Sequence, residues 1–238
     1  MNNYKKGQVA HDNKDYDKAI SYWKPLANEG HEEAINSMGS LYFSENLIPP
    51  CLPQDISQAL YYFKKGALKG NRESLFKLGF FYQDGLGVKK DQLKARDLFR
   101  RSAAQVHVGA VYAMATNCYS DVQPDYEEAF KCFSILAELE VTQAHFFLAD
   151  MYMKGKGVDK DLVKAYMHII LTGFDLQESS INYIQEELPY TKDTQDSNRE
   201  ILLNRGVWFL HQDLIRILNP IEVNRAKHLA KDFQKKHY

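Results

Sequence analysis

The sequence predicts an all-α protein made of stacked helix pairs, and three observations predict it. A small residue recurs at Ala19, Ala59, Ala95, Ala129 and Ala165, one every 34 to 40 residues. An acid stands four positions before each, at Asp15, Asp55, Asp91, Asp125 and Asp161, where a helix carrying the anchor on its second turn takes its N-cap. Four positions after the first four anchors comes a large ring, Trp23, Phe63, Phe99 and Phe133, and four further on another small residue, Ala27, Ala67, Ala103 and Ala137. That i, i+4, i+8 stripe lies along one face of a helix and marks the side that packs.

Taken in order, the chain opens with a segment carrying Gly7 and a short turn from Asn13 to Tyr16, which reads as a helix pair capping the N-terminal end. Each anchored helix is followed by a second one. It starts at Ala34, Ser74, Ala110 or Ala144 and carries an apolar-small pair: Met38 and Gly39, Leu78 and Gly79, Met114 and Ala115, Leu148 and Ala149. The small members let a neighbouring helix approach closely. Three residues on stand Tyr42, Tyr82, Cys118 and Tyr152, and a Tyr there packs its ring while keeping its hydroxyl near solvent. Gly85 and Gly87, and again Gly155 and Gly157, supply a helix stop and a left-handed turn before the next cap.

After Tyr42 the connection is longer and contains Pro49, Pro50 and Pro53, which forbid a helix and favour an extended excursion. It reads either as a recognition loop or as a tolerated insertion at a turn. Beyond Ala165 the pattern fades, since Gly173 replaces the second small residue, and the array is expected to span residues 1–176. Residues 177–238 then form a helical cap: one helix near Glu178 to Leu188, one near Asn198 to Leu218, and a last one begun by Asn219 as N-cap, with Pro220 in the first turn and Glu222 at the third position. Such a cap covers the stacking face that the last repeat would otherwise expose. The Lys and His residues from Lys227 to His237 complement the dipole of that last helix.

Composition narrows the function classes. The chain has 238 residues, 45% of them hydrophobic, with 30 Lys and Arg against 31 Asp and Glu, so no long-range field draws it to nucleic acid or to an anionic membrane. The first thirty residues lack the apolar core of a secretory signal, and no later stretch reads as a membrane span. The expectation is a cytoplasmic protein. Cys51, Cys118 and Cys132 suit neither a disulfide framework nor a zinc site. The eight histidines form no H-x-H pair and no H-E-x-x-H, so no metal is expected. Gly85 to Gly87 and Gly155 to Gly157 do not extend into a phosphate loop, and the adjacent acids Glu127 and Glu128, or Glu186 and Glu187, diverge by about 100° on a helix. No catalytic residue, cofactor site or metal site is read from the sequence.

The recurring columns resemble the Sel1-like repeat family, relatives of tetratricopeptide repeats, over about residues 15–176. The resemblance implies a right-handed α-α superhelix of antiparallel helix pairs whose concave groove takes a protein or peptide partner. In stacks of that type the groove positions fall three before, one after and four after the small residue of the apolar-small pair. Carried over, they give Asn36, Ser40 and Phe43; Phe76, Phe80 and Gln83; Tyr112, Thr116 and Tyr119; Phe146, Asp150 and Met153. Half of these are aromatic, which suits a protein-binding surface, although packing between repeats is the common alternative fate of such rings. The leading reading is a non-enzymatic adaptor or regulatory scaffold. One alternative is an immunity or antitoxin-like protein that neutralises a secreted toxin. Another is a penicillin-binding or β-lactamase-like hydrolase, as described for cysteine-rich relatives whose regular cysteine pair per repeat this chain lacks.

Overall fold

The computed structural model describes residues 2–43, 55–173 and 195–237, the side chains of 195–205 apart. The proline excursion with Cys51 and the helix expected near Glu178 to Leu188 lie outside the described residues. Every regular element among the described residues is an α-helix: α1 (Asn3–Asp12), α2 (Tyr16–Glu29), α3 (Glu32–Phe43), α4 (Ile56–Leu68), α5 (Arg72–Asp84), α6 (Gln92–Ala103), α7 (Val108–Ser120), α8 (Tyr126–Glu138), α9 (Thr142–Lys154), α10 (Leu162–Leu171), α11 (Gln195–Ile217) and α12 (Pro220–His237). The chain divides into two compact units, Met1–Met114 and Ala115–Tyr238.

The recurring acids do what their position predicts. The carboxylates of Asp15, Asp55, Asp91, Asp125 and Asp161 accept from the backbone N–H of Lys18, Gln58, Lys94, Glu128 and Lys164, at 2.9 to 3.2 Å. Each thereby satisfies a donor that the first helical turn leaves unpaired. The same residues tie successive helices together, because their own N–H groups donate backward. Asp55 donates to the carbonyl of Tyr42, Asp91 to Tyr82, Asp125 to Cys118 and Asp161 to Tyr152. Asp15 donates likewise to Ala10, so α1 stands in the place that α3, α5, α7 and α9 occupy in later pairs.

Small and large side chains interlock across each joint. A Cβ built on Gly39 would lie 2.7 Å from the Phe63 ring, one on Gly79 2.5 Å from Phe99, and one on Gly7 2.3 Å from Trp23. In each case the ring that fills the gap belongs to the following anchored helix. In the first unit the buried core runs through Ala19, Trp23, Ile35 and Met38, then Phe63, Leu75 and Phe81, then Ala95 and Phe99. In the second unit α11 and α12 contribute Val207, Leu210, Leu214 and Ala226 to a core shared with Ala149, Ala165 and Ile169. Asn219 caps α12: its side chain accepts from the N–H of Ile221 and of Glu222, and the Glu222 carboxylate accepts in return from the Asn219 N–H.

Candidate interaction site

In the first unit, α1, α3 and α5 line a cavity of about 820 Å3. Its wall includes Tyr4, Gln8 and His11 from α1, Asn36, Ser37 and Ser40 from α3, and Glu73 from α5. Of the sequence-predicted groove positions, Asn36 and Ser40 lie in this wall. Tyr4, Gln8 and His11 stand three before, one after and four after Gly7, the same three offsets that select Asn36, Ser40 and Phe43 around Gly39. Sequence reasoning missed them because it treated the opening segment as a cap, although Gly7 was the available signal.

The wall is held firmly. Trp23 donates its indole N–H to the Tyr4 carbonyl at 3.2 Å, the Tyr4 ring stacks on His31 at 5.2 Å, and its hydroxyl lies 3.3 Å from that of Ser37. The Asn36 amide donates to the Asn71 side chain at 2.9 Å and accepts from the Ser74 hydroxyl. The carboxylates around the cavity are paired: Asp12 with His11 at 3.6 Å, Glu33 with His31 at 3.2 Å, and Glu73 with His107 at 2.8 Å.

The remaining predicted positions fall elsewhere. Phe43 packs on Phe81 at 5.2 Å, and the Phe76 and Phe80 rings meet at 4.9 Å and both contact Phe99. The Gln83 carbonyl accepts from the Gln92 side chain at 3.2 Å. Tyr112 and Thr116 are partly buried on α7. In the second unit Tyr119 donates its hydroxyl to the buried carboxylate of Asp150, which also pairs with Lys154 and, at 3.4 Å, with Lys156. Burial pushes the Asp150 carboxyl up, but Lys154, Tyr119 and Lys156 outweigh it and hold the group below its ordinary range. Burial and the bond to Asp150 push the Tyr119 phenol up. Phe146 lies under α11, where a Cβ on Gly206 would sit 2.6 Å from its ring, and Met153 packs against the same cluster. All six aromatic groove candidates are therefore partly buried, each neither sealed in the core nor fully open.

The Sel1 repeat profile matches residues 4–31, 32–71, 72–107, 109–141 and 142–170. The chain belongs to the Sel1-repeat family. Its first matched Sel1 repeat, residues 4–31, pairs α1 with α2, the assignment that the Gly7 and Asp15 contacts require. A crystal structure of a Sel1 repeat protein from Oxalobacter formigenes is similar in fold, with a TM-score of 0.66, 21% identity, and coverage of 96% of this chain and 99% of that one. An uncharacterized protein of Neisseria meningitidis is 31% identical over 63% of this chain and 37% of its own length. The HRD3B component of an ERAD-associated E3 ubiquitin-protein ligase of Arabidopsis thaliana is 35% identical over 40% of this chain and 15% of its own length. The chain thus spans little more than a third, or less, of these curated relatives. Sel1-repeat proteins are typically protein-interaction scaffolds. Among the described residues, no helix is long and apolar enough to cross a membrane.

Proposed function

We propose that this Sel1-repeat protein is a non-enzymatic protein-binding module, an adaptor or regulatory scaffold that takes a segment of a partner protein into the cavity between α1, α3 and α5. One observation carries the reading: two helices, α1 and α3, present the same register positions, Tyr4, Gln8 and His11 on one and Asn36 and Ser40 on the other, to a single space that Glu73 of α5 borders. Aromatic and amide side chains held by their own hydrogen bonds offer a partner contacts with little ordering left to do. Support for a non-catalytic role comes from the family, whose repeats typically serve as protein-interaction scaffolds. The other register positions of the same unit, Phe43, Phe76, Phe80 and Tyr112, are proposed as further contacts. The reading places the protein in the cytoplasm, a reducing compartment that suits the buried Cys132 thiol.

Ser40 is exposed in the cavity wall, so Ser40→Arg fills the space without touching the core. Partners captured from the native cell by the wild type are expected to fall at least about tenfold with Ser40→Arg at unchanged melting temperature, the loss a blocked contact gives. Equal recovery by both proteins rules the cavity out as the main contact.

A further inference from the structure

Three histidines are buried on the helices where α11 and α12 dock on α9 and α10. His145 of α9 and His168 of α10 face each other Nδ1 to Nδ1 at 2.9 Å, and both rings are only 5–6% exposed. Phe233 of α12 closes over His145 at 5.5 Å, and Tyr152 of α9 stacks on His168 at 5.6 Å. On α11, His211 is equally buried, with Nε2 at 3.2 Å from the Tyr166 hydroxyl and Nδ1 without a hydrogen-bond partner. The titratable and charged groups around the pair are Tyr152 on α9, Lys164 on α10, and His237 beside Phe233 on α12, while Tyr166 on α10 and His211 on α11 stack on each other where α11 docks. Among the described residues no carboxylate bonds to any of the three rings.

The short contact requires one neutral ring to donate from Nδ1 and the other to accept there. A first proton leaves a buried imidazolium with no anion against it, and a second removes the acceptor and sets two N–H groups face to face. Either is relieved by letting water in, which requires α12, whose Phe233 closes over His145, to lift with α11, which shares its core. Those helices also cover Phe146 and Met153, through Gly206 and the cluster around Val207.

We propose that α11 and α12 form a proton-operated latch, clamped on α9 and α10 near neutral pH and released in mild acid, which uncovers the apolar face around Phe146, Met153 and Ile169. Burial lowers both rings of the pair, which accords with a docked state that refuses the proton. Each such ring shifts the docked fraction by up to tenfold per pH unit below its ordinary value, so two rings weaken docking by about a thousandfold between pH 7.5 and 5.

The test is amide hydrogen exchange on the full chain at pH 7.5 and 5.0, corrected for intrinsic rates. Protection in Val207–Leu218 and Pro220–His237 is expected to collapse at pH 5.0 while the helices from α2 to α6 keep theirs. A double variant, His145→Asn with His168→Asn, replaces the pair by an amide-to-amide hydrogen bond that does not titrate, and its response is expected to shrink at least tenfold. An unchanged response in that variant overturns the latch. If the double variant does not fold, the wild type decides alone: unchanged protection in α11 and α12, or equal loss in both units, overturns the proposal.

Discussion

At the scale of single residues, backbone conformation explains positions that packing does not. Gly30, Gly70, Val106 and Glu140 end α2, α4, α6 and α8, all four with positive φ, at +94°, +79°, +55° and +62°. Glycine adopts that conformation freely, whereas a β-branched residue is strained there. The Val106 side chain is 58% exposed and contributes little burial in return. Val106→Gly is therefore expected to stabilise the protein by about 1 kcal/mol, read as a higher melting temperature; no rise, or a fall, contradicts the strain argument. The five acidic caps give the complementary case. Asp91→Ala leaves the Lys94 N–H without its acceptor and is expected to cost about 1 kcal/mol in urea denaturation.

At the scale of elements, the joint between consecutive pairs depends on a missing side chain facing a large one. Gly79 lies so close to Phe99 that an added methyl must move a fully buried ring. Gly79→Ala is expected to destabilise the chain by about 1–3 kcal/mol despite alanine's better helix propensity. A second substitution, Phe99→Leu, makes room, so the two should be less than additive in a double-mutant cycle. Additive losses would mean that Gly79 serves some purpose other than this fit. The same reasoning assigns α1: Gly7 against Trp23 repeats the joint of Gly39 against Phe63, so α1 is a working repeat helix as well as a terminal one.

At the scale of the whole molecule, the two units should answer differently to acid. His145 and His168 are lowered by burial from 6.5 to about 4 and about 3 in the folded state. The unfolded chain binds their protons first, so stability is fully present above pH 6.5 and falls as pH drops through the window from 6.5 to about 3. Each ring adds to the loss only while pH lies between 6.5 and that ring's own lowered value. In the Met1–Met114 unit, His11, His31 and His107 instead lie beside Asp12, Glu33 and Glu73. Melting followed separately in the two units between pH 7 and 4 should show the Ala115–Tyr238 unit failing first; a joint transition at every pH would contradict this.

Much of the architecture was legible in the residues themselves, because a repeat writes each contact several times. The acidic caps, the alanine anchors and the small positions that receive Phe63 and Phe99 declared the helices and their faces without coordinates. The place of α1 was also written there, in Gly7, but a single copy at a chain end lacks the repetition that makes a column visible. Tertiary structure alone decided which groove positions share a space: Asn36 and Ser40 join Tyr4 and Gln8, while Phe146 and Met153 are covered by α11. It alone brought His145 against His168 and Tyr166 against His211, pairs 23 and 45 positions apart along the chain. The physical reason is that periodicity specifies which side of a helix is buried, whereas the identity of the neighbour across the gap depends on side chains that no period relates.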